Sequence, residues 1–400
     1  MLTRDLYIDS ILPFVDKPQV KVLTGIRRSG KSVILDLLID ELKKRGIIDK
    51  QILRMNFESF QFSEFTNSVD FYKYVKSKIL LGKRNYLFFD EIQEVKNWEK
   101  AVNSFLVDFD VDIYITGSNS KLLSSELATF LAGRYVEIPI YTLSFKEFLQ
   151  FKSKYLQNIN IENDFIYYLK MGGFPGVHVA NYSQEAAYKV IYDIYSSVIL
   201  RDTVQRFGIR DIELLERLIK YLFDNVGCTF SGKNIADYFK SQHRKVDINT
   251  IYNYLSALES AFIVYRVSRF DIQGKEILKT QEKFYVSDIS IIHAVMGFKN
   301  RMISQLLENL VFLELKRRGY KVYIGKLGNL EIDFVAEKTS EKIYVQVAYK
   351  LENPETAKRE FANLLKIKDQ YPKYVVSMDE FWTENVEGVK HLHISDFLKL

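Results

Sequence analysis

The chain has 400 residues, of which 47% are hydrophobic and 27% are charged, and this composition excludes collagen-like, low-complexity and disordered proteins. Its length predicts about two to four domains. The formal net charge of +5 permits contact with nucleic acid without demonstrating it, and the single cysteine, Cys228, excludes an intramolecular disulfide and a cysteine-based zinc site.

The cellular location is predicted from the absence of targeting and membrane segments. The start of the chain lacks the basic head and apolar core of a signal peptide. No apolar run reaches the roughly 18 residues that a membrane helix needs. We therefore expect a cytoplasmic protein without a membrane partner.

Strands alternate with helices in the first part of the chain. Helical patterns lie between five short runs of strand-forming residues, at 20–25, 51–57, 86–90, 111–116 and 135–140. This alternation predicts an α/β fold with a mostly parallel sheet and helices on both faces. The predicted unit spans residues 1–148.

Three further units are predicted after residue 148. Residues 149–210 have helical patterns that a glycine- and proline-rich turn interrupts at 172–176. Residues 211–298 contain two helices joined by a short turn and then a hairpin, which is typical of a winged helix-turn-helix. Residues 299–400 begin with a helix and continue with short strands.

A phosphate-binding loop is predicted at residues 25–32, where GIRRSGKS matches G-x-x-x-x-G-K-[ST] between a strand and an amphipathic helix. Backbone N–H groups and the helix N-terminus at such a loop attract phosphate. Lys31 is expected on the β- and γ-phosphates of ATP, and the Ser32 hydroxyl on Mg²⁺. The residues predicted to contact the nucleotide are Gly25, Arg28, Ser29, Gly30, Lys31, Ser32 and Val33.

Two carboxylates follow the strand at 86–90. Ligands bind at the carboxyl ends of parallel strands, so Asp90 and Glu91 are expected beside the phosphate loop. Asp90 would hold Mg²⁺ directly or through water, and Glu91 would act as the general base that polarises the attacking water. The alternative is a pair of solvated turn carboxylates.

Polar residues near the next two strands complete the predicted site. Ser118 or Asn119 is expected to position the water, unless this segment is an ordinary polar loop. Arg134 precedes the last strand of the sheet and is expected to stabilise transition-state charge, in cis or in a neighbouring subunit. The alternative for Arg134 is a surface arginine.

The chain resembles AAA+ ATPases, and more narrowly the prokaryotic AAA+ ATPases whose C-terminal domain of unknown function is related to restriction-endonuclease-like folds. The segments that carry the resemblance are TGIRRSGKS, YLFFDEIQEVKNWE, ITGSNSKLLSSELATFLAGR, IPIYTLSFKEF, GGFPG, LLENLVFLELKRRGY and LEIDFVAE. The resemblance implies ATP binding, Mg²⁺-dependent hydrolysis and a winged helix after the core. The GGFP turn resembles a motif near the adenine in related signalling ATPases, which implicates Gly173 and Pro175 in nucleotide contact or in coupling to the lid. The alternative is a turn without a ligand.

The resemblance also suggests a nuclease-like site near the C-terminus. Glu308, Asp333 and Gln346 fit its acidic and glutamine positions, but Ala348 stands where such nucleases have lysine. Lys350 would lie on the same strand face about 7 Å further on if the strand continued. A degenerate site is therefore expected, and nuclease activity is disfavoured.

The sequence thus predicts an ATPase that uses ATP and Mg²⁺ to switch or drive an interaction with DNA or with a protein partner. Two alternatives stay open, a nucleotide-gated binding module with little turnover and an ATP-regulated DNA nuclease. The sequence leaves open whether the protein acts as a monomer or as a ring.

Overall fold

A computed structural model describes residues 3–119, 133–155, 159–351, 354–379 and 385–400. The chain forms two compact units, one of residues 1–142 and 260–262 and the other of residues 143–259 and 263–400. Residues 120–132 lie outside the described residues. They make up most of the segment ITGSNSKLLSSELATFLAGR, which carries part of the family resemblance. Within the described part of the chain, no helix combines the length and the apolar character needed to cross a membrane.

The first unit alternates helices and strands in the predicted order. Its helices are α1 (Asp5–Ile11), α2 (Lys31–Lys44), α3 (Ser68–Lys78) and α4 (Trp98–Asp108), with short 3-10 turns at Leu12–Phe14, Asp49–Gln51, Phe60–Phe62 and Ile92–Glu94. Its strands are β1 (Val20–Thr24), β2 (Ile52–Asn56), β3 (Asn85–Asp90), β4 (Val111–Gly117) and β5 (Tyr135–Pro139). All five predicted strands are therefore present, and each of their ends lies within one residue of the predicted one.

The five strands form one parallel sheet in the order β2-β3-β4-β1-β5. Side chains alternate between its two faces along each strand. Leu87 and Phe89 of β3 pack into one core with Phe71 of α3, whereas Phe88 packs into the opposite core with Leu38 of α2. The helices thus cover both faces, and the predicted α/β core is confirmed for this unit.

A buried ion pair joins two strands at the centre of this sheet. The Lys21 ammonium on β1 contacts the Asp112 carboxylate on β4, and both side chains are fully buried. Asp112 also accepts hydrogen bonds from the Asp16 backbone N–H at 2.7 Å and from the Tyr114 hydroxyl at 2.8 Å. The contacts stabilise the position of β1, the strand that leads into the phosphate loop.

The second unit contains most of the helices and a larger sheet. Its helices are α5 (Phe145–Tyr155), α6 (Ile161–Met171), α7 (Pro175–Val179), α8 (Gln184–Ser197), the π-helix Val198–Gln205, α9 (Ile212–Asp224), α10 (Gly232–Ser241), α11 (Ile248–Ser260), α12 (Ile289–Met296), the 3-10 turn Asn300–Met302, α13 (Ile303–Arg317), α14 (Pro354–Leu365) and α15 (Ile394–Phe397). Its strands are β6 (Thr229–Phe230), β7 (Val264–Asp271), β8 (Glu276–Val286), β9 (Lys321–Leu327), β10 (Leu330–Lys338), β11 (Glu341–Val347), β12 (Lys373–Ser377), β13 (Asn385–Val386) and β14 (Val389–His393).

These strands form a single nine-stranded mixed sheet in the order β13-β14-β12-β11-β10-β9-β7-β8-β6. The hairpin β7–β8 follows the helix pair α10–α11, and β7 pairs in parallel with β9. The sheet therefore continues across the predicted boundary at residue 298. Strands of the predicted domains 211–298 and 299–400 share this sheet. The division into four domains stays a prediction.

We predict that Asp112→Asn destabilises the first unit by about 3–5 kcal/mol, because it leaves the buried Lys21 ammonium without a counterion. Urea unfolding of the full chain measures this change. Asp49→Asn, which alters the exposed Lys43–Asp49 ion pair, is the matched control and should leave the midpoint unchanged. Equal midpoints for Asp112→Asn and the parent would contradict the role given to the pair.

Candidate nucleotide-binding site

The phosphate loop connects the end of β1 to the start of α2. Gly25 has φ of 146°, and a Cβ there would lie 2.1 Å from the carbonyl oxygen of Ile140. Gly30 precedes α2 with φ of 99°. Both glycines adopt conformations that other residues rarely reach, so the backbone of the loop explains why the motif has glycine at positions 25 and 30.

The Lys31 ammonium is buried inside the loop. It donates hydrogen bonds to the carbonyl oxygens of Gly25 at 2.9 Å and Ile26 at 3.2 Å. It also lies 3.7 Å from a carboxylate oxygen of Glu91. The structure therefore brings together the lysine of the loop and the carboxylate predicted as general base.

Asp90 is fully buried at the carboxyl end of β3, and the neighbouring strands supply both of its hydrogen-bond donors. One carboxylate oxygen accepts a hydrogen bond from the Thr116 hydroxyl of β4, and the other lies 3.3 Å from the Arg54 guanidinium of β2. The Thr116 hydroxyl also accepts the backbone N–H of Glu91 at 3.0 Å. Thr116 thus links the Asp90 carboxylate to the backbone of Glu91.

The pKa of Glu91 is lowered by its surroundings. Burial raises the pKa of this carboxyl, but the Lys31 ammonium and a hydrogen bond from the Gln93 amide lower it by more, and Arg27 and Ser118 add to that effect. Glu91 has a left-handed backbone, with φ of 52°, directly after the strand. The side chain is consequently ionised at neutral pH and can accept a proton.

The remaining loop residues differ in exposure. The Ser29 hydroxyl is buried and has no hydrogen-bond partner among the described residues, so a phosphate oxygen would satisfy it. Ser32 is half-buried in the first turn of α2, whereas Arg28 and Val33 are exposed. The donor set fits a nucleotide, and the Ser32 hydroxyl with the Asp90 carboxylate are the oxygen ligands that would hold Mg²⁺.

Ser118 and Asn119 follow β4, and both are buried. β4 lies beside β3 in the sheet, which places its end next to Glu91. Ser118 contributes to the lowered pKa of Glu91. Their assignment to water positioning stays a prediction.

Arg134 does not lie near the phosphate loop. Its carbonyl oxygen accepts the Val20 N–H at the start of β1, and its guanidinium donates to the Asn103 side chain at 3.1 Å. The loop leaves the opposite end of β1, roughly 16 Å away along a five-residue strand. The predicted role in cis is therefore corrected, because Arg134 lies at the end of the sheet opposite the loop, and both the role in a neighbouring subunit and the alternative of a surface arginine stay predictions.

The turn that contains Gly173 and Pro175 belongs to the second unit, where side chains of that unit hold it. The Gly173 N–H donates to the Asp288 carboxylate at 2.8 Å, and a Cβ at Gly172 would lie 2.1 Å from the same carboxylate. Pro175 begins α7, a position that suits its fixed φ. These contacts account for the turn sequence without a ligand, and the predicted nucleotide contact is left untested.

A second polar cluster contains the predicted nuclease-like residues. The Gln346 side-chain oxygen accepts the Asp333 N–H at 3.3 Å, and Asp333 lies close to Glu308. Lys283 of β8 enters this cluster, with its ammonium 2.9 Å from Glu308, 2.9 Å from Glu331 and 3.9 Å from Asp333. Burial lowers the pKa of Lys283, but the carboxylates outweigh it and raise this pKa well above its usual value.

The lysine of this cluster is not the one predicted. Lys350 is exposed three residues beyond the end of β11, and its ammonium lies 6.0 Å from the centre of the Tyr349 ring. The strand alternation that would align it with Gln346 therefore does not continue. Among the described residues, no group of three or more His, Cys, Asp and Glu side chains is arranged to hold a metal ion.

Comparisons with known proteins relate the whole chain to proteins in other organisms. Residues 17–149 match the model of an AAA domain, and residues 162–302 match a domain of unknown function, DUF8612. A protein of Haemophilus influenzae described as uncharacterized is 40% identical over 399 residues, which cover 100% of this chain and 98% of that protein. The uncharacterized protein MJ1544 of Methanocaldococcus jannaschii is 32% identical, over 99% of this chain and 88% of its own length.

Among solved structures, the Walker-type ATPase PABY2304 of Pyrococcus abyssi has a similar fold. Its TM-score is 0.52 at 13% identity, and the match covers 74% of this chain and 96% of that chain. The likeness concerns the fold alone. The comparisons confirm an AAA-type P-loop ATPase fold, whereas the winged helix and the restriction-endonuclease-like domain stay predictions.

We predict that Thr116→Val lowers ATP turnover roughly 10-fold, because it removes the hydroxyl that orients Asp90 and Glu91. ATP affinity should change much less, since the phosphate loop is intact. Steady-state turnover and equilibrium binding separate the two quantities. Thr116→Ser keeps the hydroxyl and should restore turnover, and an unchanged rate in Thr116→Val would contradict this role.

We also predict that Lys283→Met destabilises the second unit by about 3–5 kcal/mol, because the buried Asp333 and the half-buried Glu308 and Glu331 lose their cation. Lys350→Met, an exposed lysine of the same unit, is the control and should have no effect. Chemical unfolding of the full chain measures both. Equal losses in the two variants would show that Lys283 is not the cation on which the cluster depends.

Proposed function

We propose that this chain, which belongs to the same family as the Haemophilus influenzae and Methanocaldococcus jannaschii proteins, binds ATP and hydrolyses it with Mg²⁺. The match of its residues 17–149 to the model of an AAA domain supports this proposal. Hydrolysis switches or drives an interaction with DNA or with a protein partner. The observation that carries the proposal is the convergence of Lys31, Asp90 and Glu91 at one edge of the parallel sheet.

Each residue of this edge has a distinct task in the proposed reaction. Lys31 and the loop N–H groups bind the β- and γ-phosphates. Ser32 and Asp90 hold Mg²⁺, which when bound neutralises charge on the phosphate oxygens. Glu91 accepts the proton of the attacking water, whose oxygen bonds to the terminal phosphorus while the bond to the bridging oxygen breaks and ADP leaves.

Two alternatives predict different measurements. A nucleotide-gated binding module would show very low turnover with a large effect of ATP on partner affinity. An ATP-regulated nuclease would nick plasmid DNA in the presence of Mg²⁺. The Lys283 ammonium lies 2.9 Å from Glu308 and 3.9 Å from Asp333, where a metal ion would have to bind, and together with Ala348 at the lysine position it disfavours the nuclease.

The helix pair and hairpin of the second unit support DNA as one class of partner. Helix α10, helix α11 and the hairpin β7–β8 follow one another as in a winged helix. The exposed face of α11 is polar and contains Asn249, Tyr252, Asn253 and Ser256. Turnover that rises with double-stranded DNA would support this partner, and turnover indifferent to DNA would favour a protein partner.

We predict that Glu91→Gln retains ATP binding and lowers turnover at least 100-fold, because it removes the general base while the phosphate loop is intact. Lys31→Ala should lose tight binding itself. Phosphate release and equilibrium nucleotide binding are the measurements. Glu94→Gln, an exposed glutamate three residues further on, is the matched control. Parental turnover in Glu91→Gln would refute the role of Glu91.

A further inference from the structure

Arg54 is a site residue that neither the phosphate-loop motif nor the Asp90–Glu91 pair includes. It lies on β2, and its side chain is 25% exposed. Its Nε is 2.8 Å from the Asp36 carboxylate, and its Nη2 is 3.3 Å from Asp90 Oδ2 and 3.3 Å from the Ser32 carbonyl oxygen. All three partners belong to α2 or to the end of β3, where the proposed nucleotide site lies.

The third nitrogen of this guanidinium lacks a partner. Arg54 Nη1 is buried and has no hydrogen-bond acceptor among the described residues. A buried donor without an acceptor is costly, and such groups in native structures call for an explanation. A planar guanidinium presents its donors in a fork that matches phosphate oxygens.

The position of Arg54 indicates which phosphate would supply that acceptor. The guanidinium contacts the carboxylate of Asp90 and the backbone carbonyl of Ser32, and these two residues would hold Mg²⁺ beside the terminal phosphates. The Lys31 ammonium of the phosphate loop lies beside the Glu91 carboxylate, whereas the Arg54 guanidinium lies beside that of Asp90. Arg54 therefore approaches the site from the metal side.

We propose that Arg54 donates a hydrogen bond to the terminal phosphate of bound ATP and thereby makes the site distinguish ATP from ADP. The inference rests on the proposed function. Asp36, one turn after Ser32 on α2, holds Nε and keeps the guanidinium in place while Nη1 binds phosphate. ADP has no terminal phosphate at this position, so its affinity depends on Arg54 much less.

The test is equilibrium binding of AMPPNP and of ADP, each with Mg²⁺, to the full chain. Arg54→Lys and Arg54→Gln should weaken AMPPNP roughly 10-fold or more, the range of a hydrogen bond to a charged group, and weaken ADP less than about 2-fold. Arg84→Gln is the matched control. Arg84 directly precedes β3 and is similarly exposed, but it pairs with Asp16 and Asp110. Thermal unfolding of each variant confirms that it is folded.

The outcomes separate the inference from the function on which it rests. Equal losses for AMPPNP and ADP in folded Arg54→Lys, or no loss, would overturn the inference and leave Arg54 as a counterion of Asp90. If Lys31→Ala also bound both nucleotides as tightly as the parent, the proposed function itself would fail. Loss of binding in Lys31→Ala with an unchanged AMPPNP-to-ADP ratio in Arg54→Lys would reject the inference alone.

Discussion

The carboxylate of Asp90 is a charge buried entirely at the end of a central strand, and the candidate site depends on how that charge is compensated. An uncompensated carboxylate in this position would be strongly destabilising. The neighbouring strands supply a hydroxyl from Thr116 on one side and a guanidinium from Arg54 on the other. The same Thr116 hydroxyl holds the Glu91 N–H, so the burial of one carboxylate also orients the next.

Compensated buried charge recurs in both units, with different consequences. Lys21 and Asp112 form a closed pair at the centre of the first sheet, where neither side chain contacts solvent. Lys283 serves Glu308, Glu331 and Asp333 in the second sheet, and it fills the centre of the cluster that resembles a nuclease site. By contrast, the buried donors at Ser29 and Arg54 lack partners, and both lie at the phosphate-loop edge. A phosphate bound at this edge would supply acceptors to both donors.

The sequence predicted the elements whose signals are local. The five strands, the loop at 25–32 and the pair Asp90–Glu91 depend on short apolar runs and on a motif of fixed spacing. Thr116, Arg54 and Lys283 were missed because their roles arise from which strands become neighbours, and no local pattern specifies strand order. A lone arginine in the apolar run at 52–56 was the available signal for Arg54. Arg134 was misplaced because closeness to a strand in sequence does not say at which end of the sheet a residue lies.

The central claim is that ATP binds where the ends of β1, β3 and β4 meet. Hydrogen–deuterium exchange of the full chain with and without AMPPNP and Mg²⁺ tests it most directly. The account predicts slower exchange in peptides that cover residues 25–33, 88–93 and 116–119, and little change at the opposite end of the sheet around Arg84. Unchanged exchange in these three peptides at saturating nucleotide, or protection confined to the second unit, would contradict it.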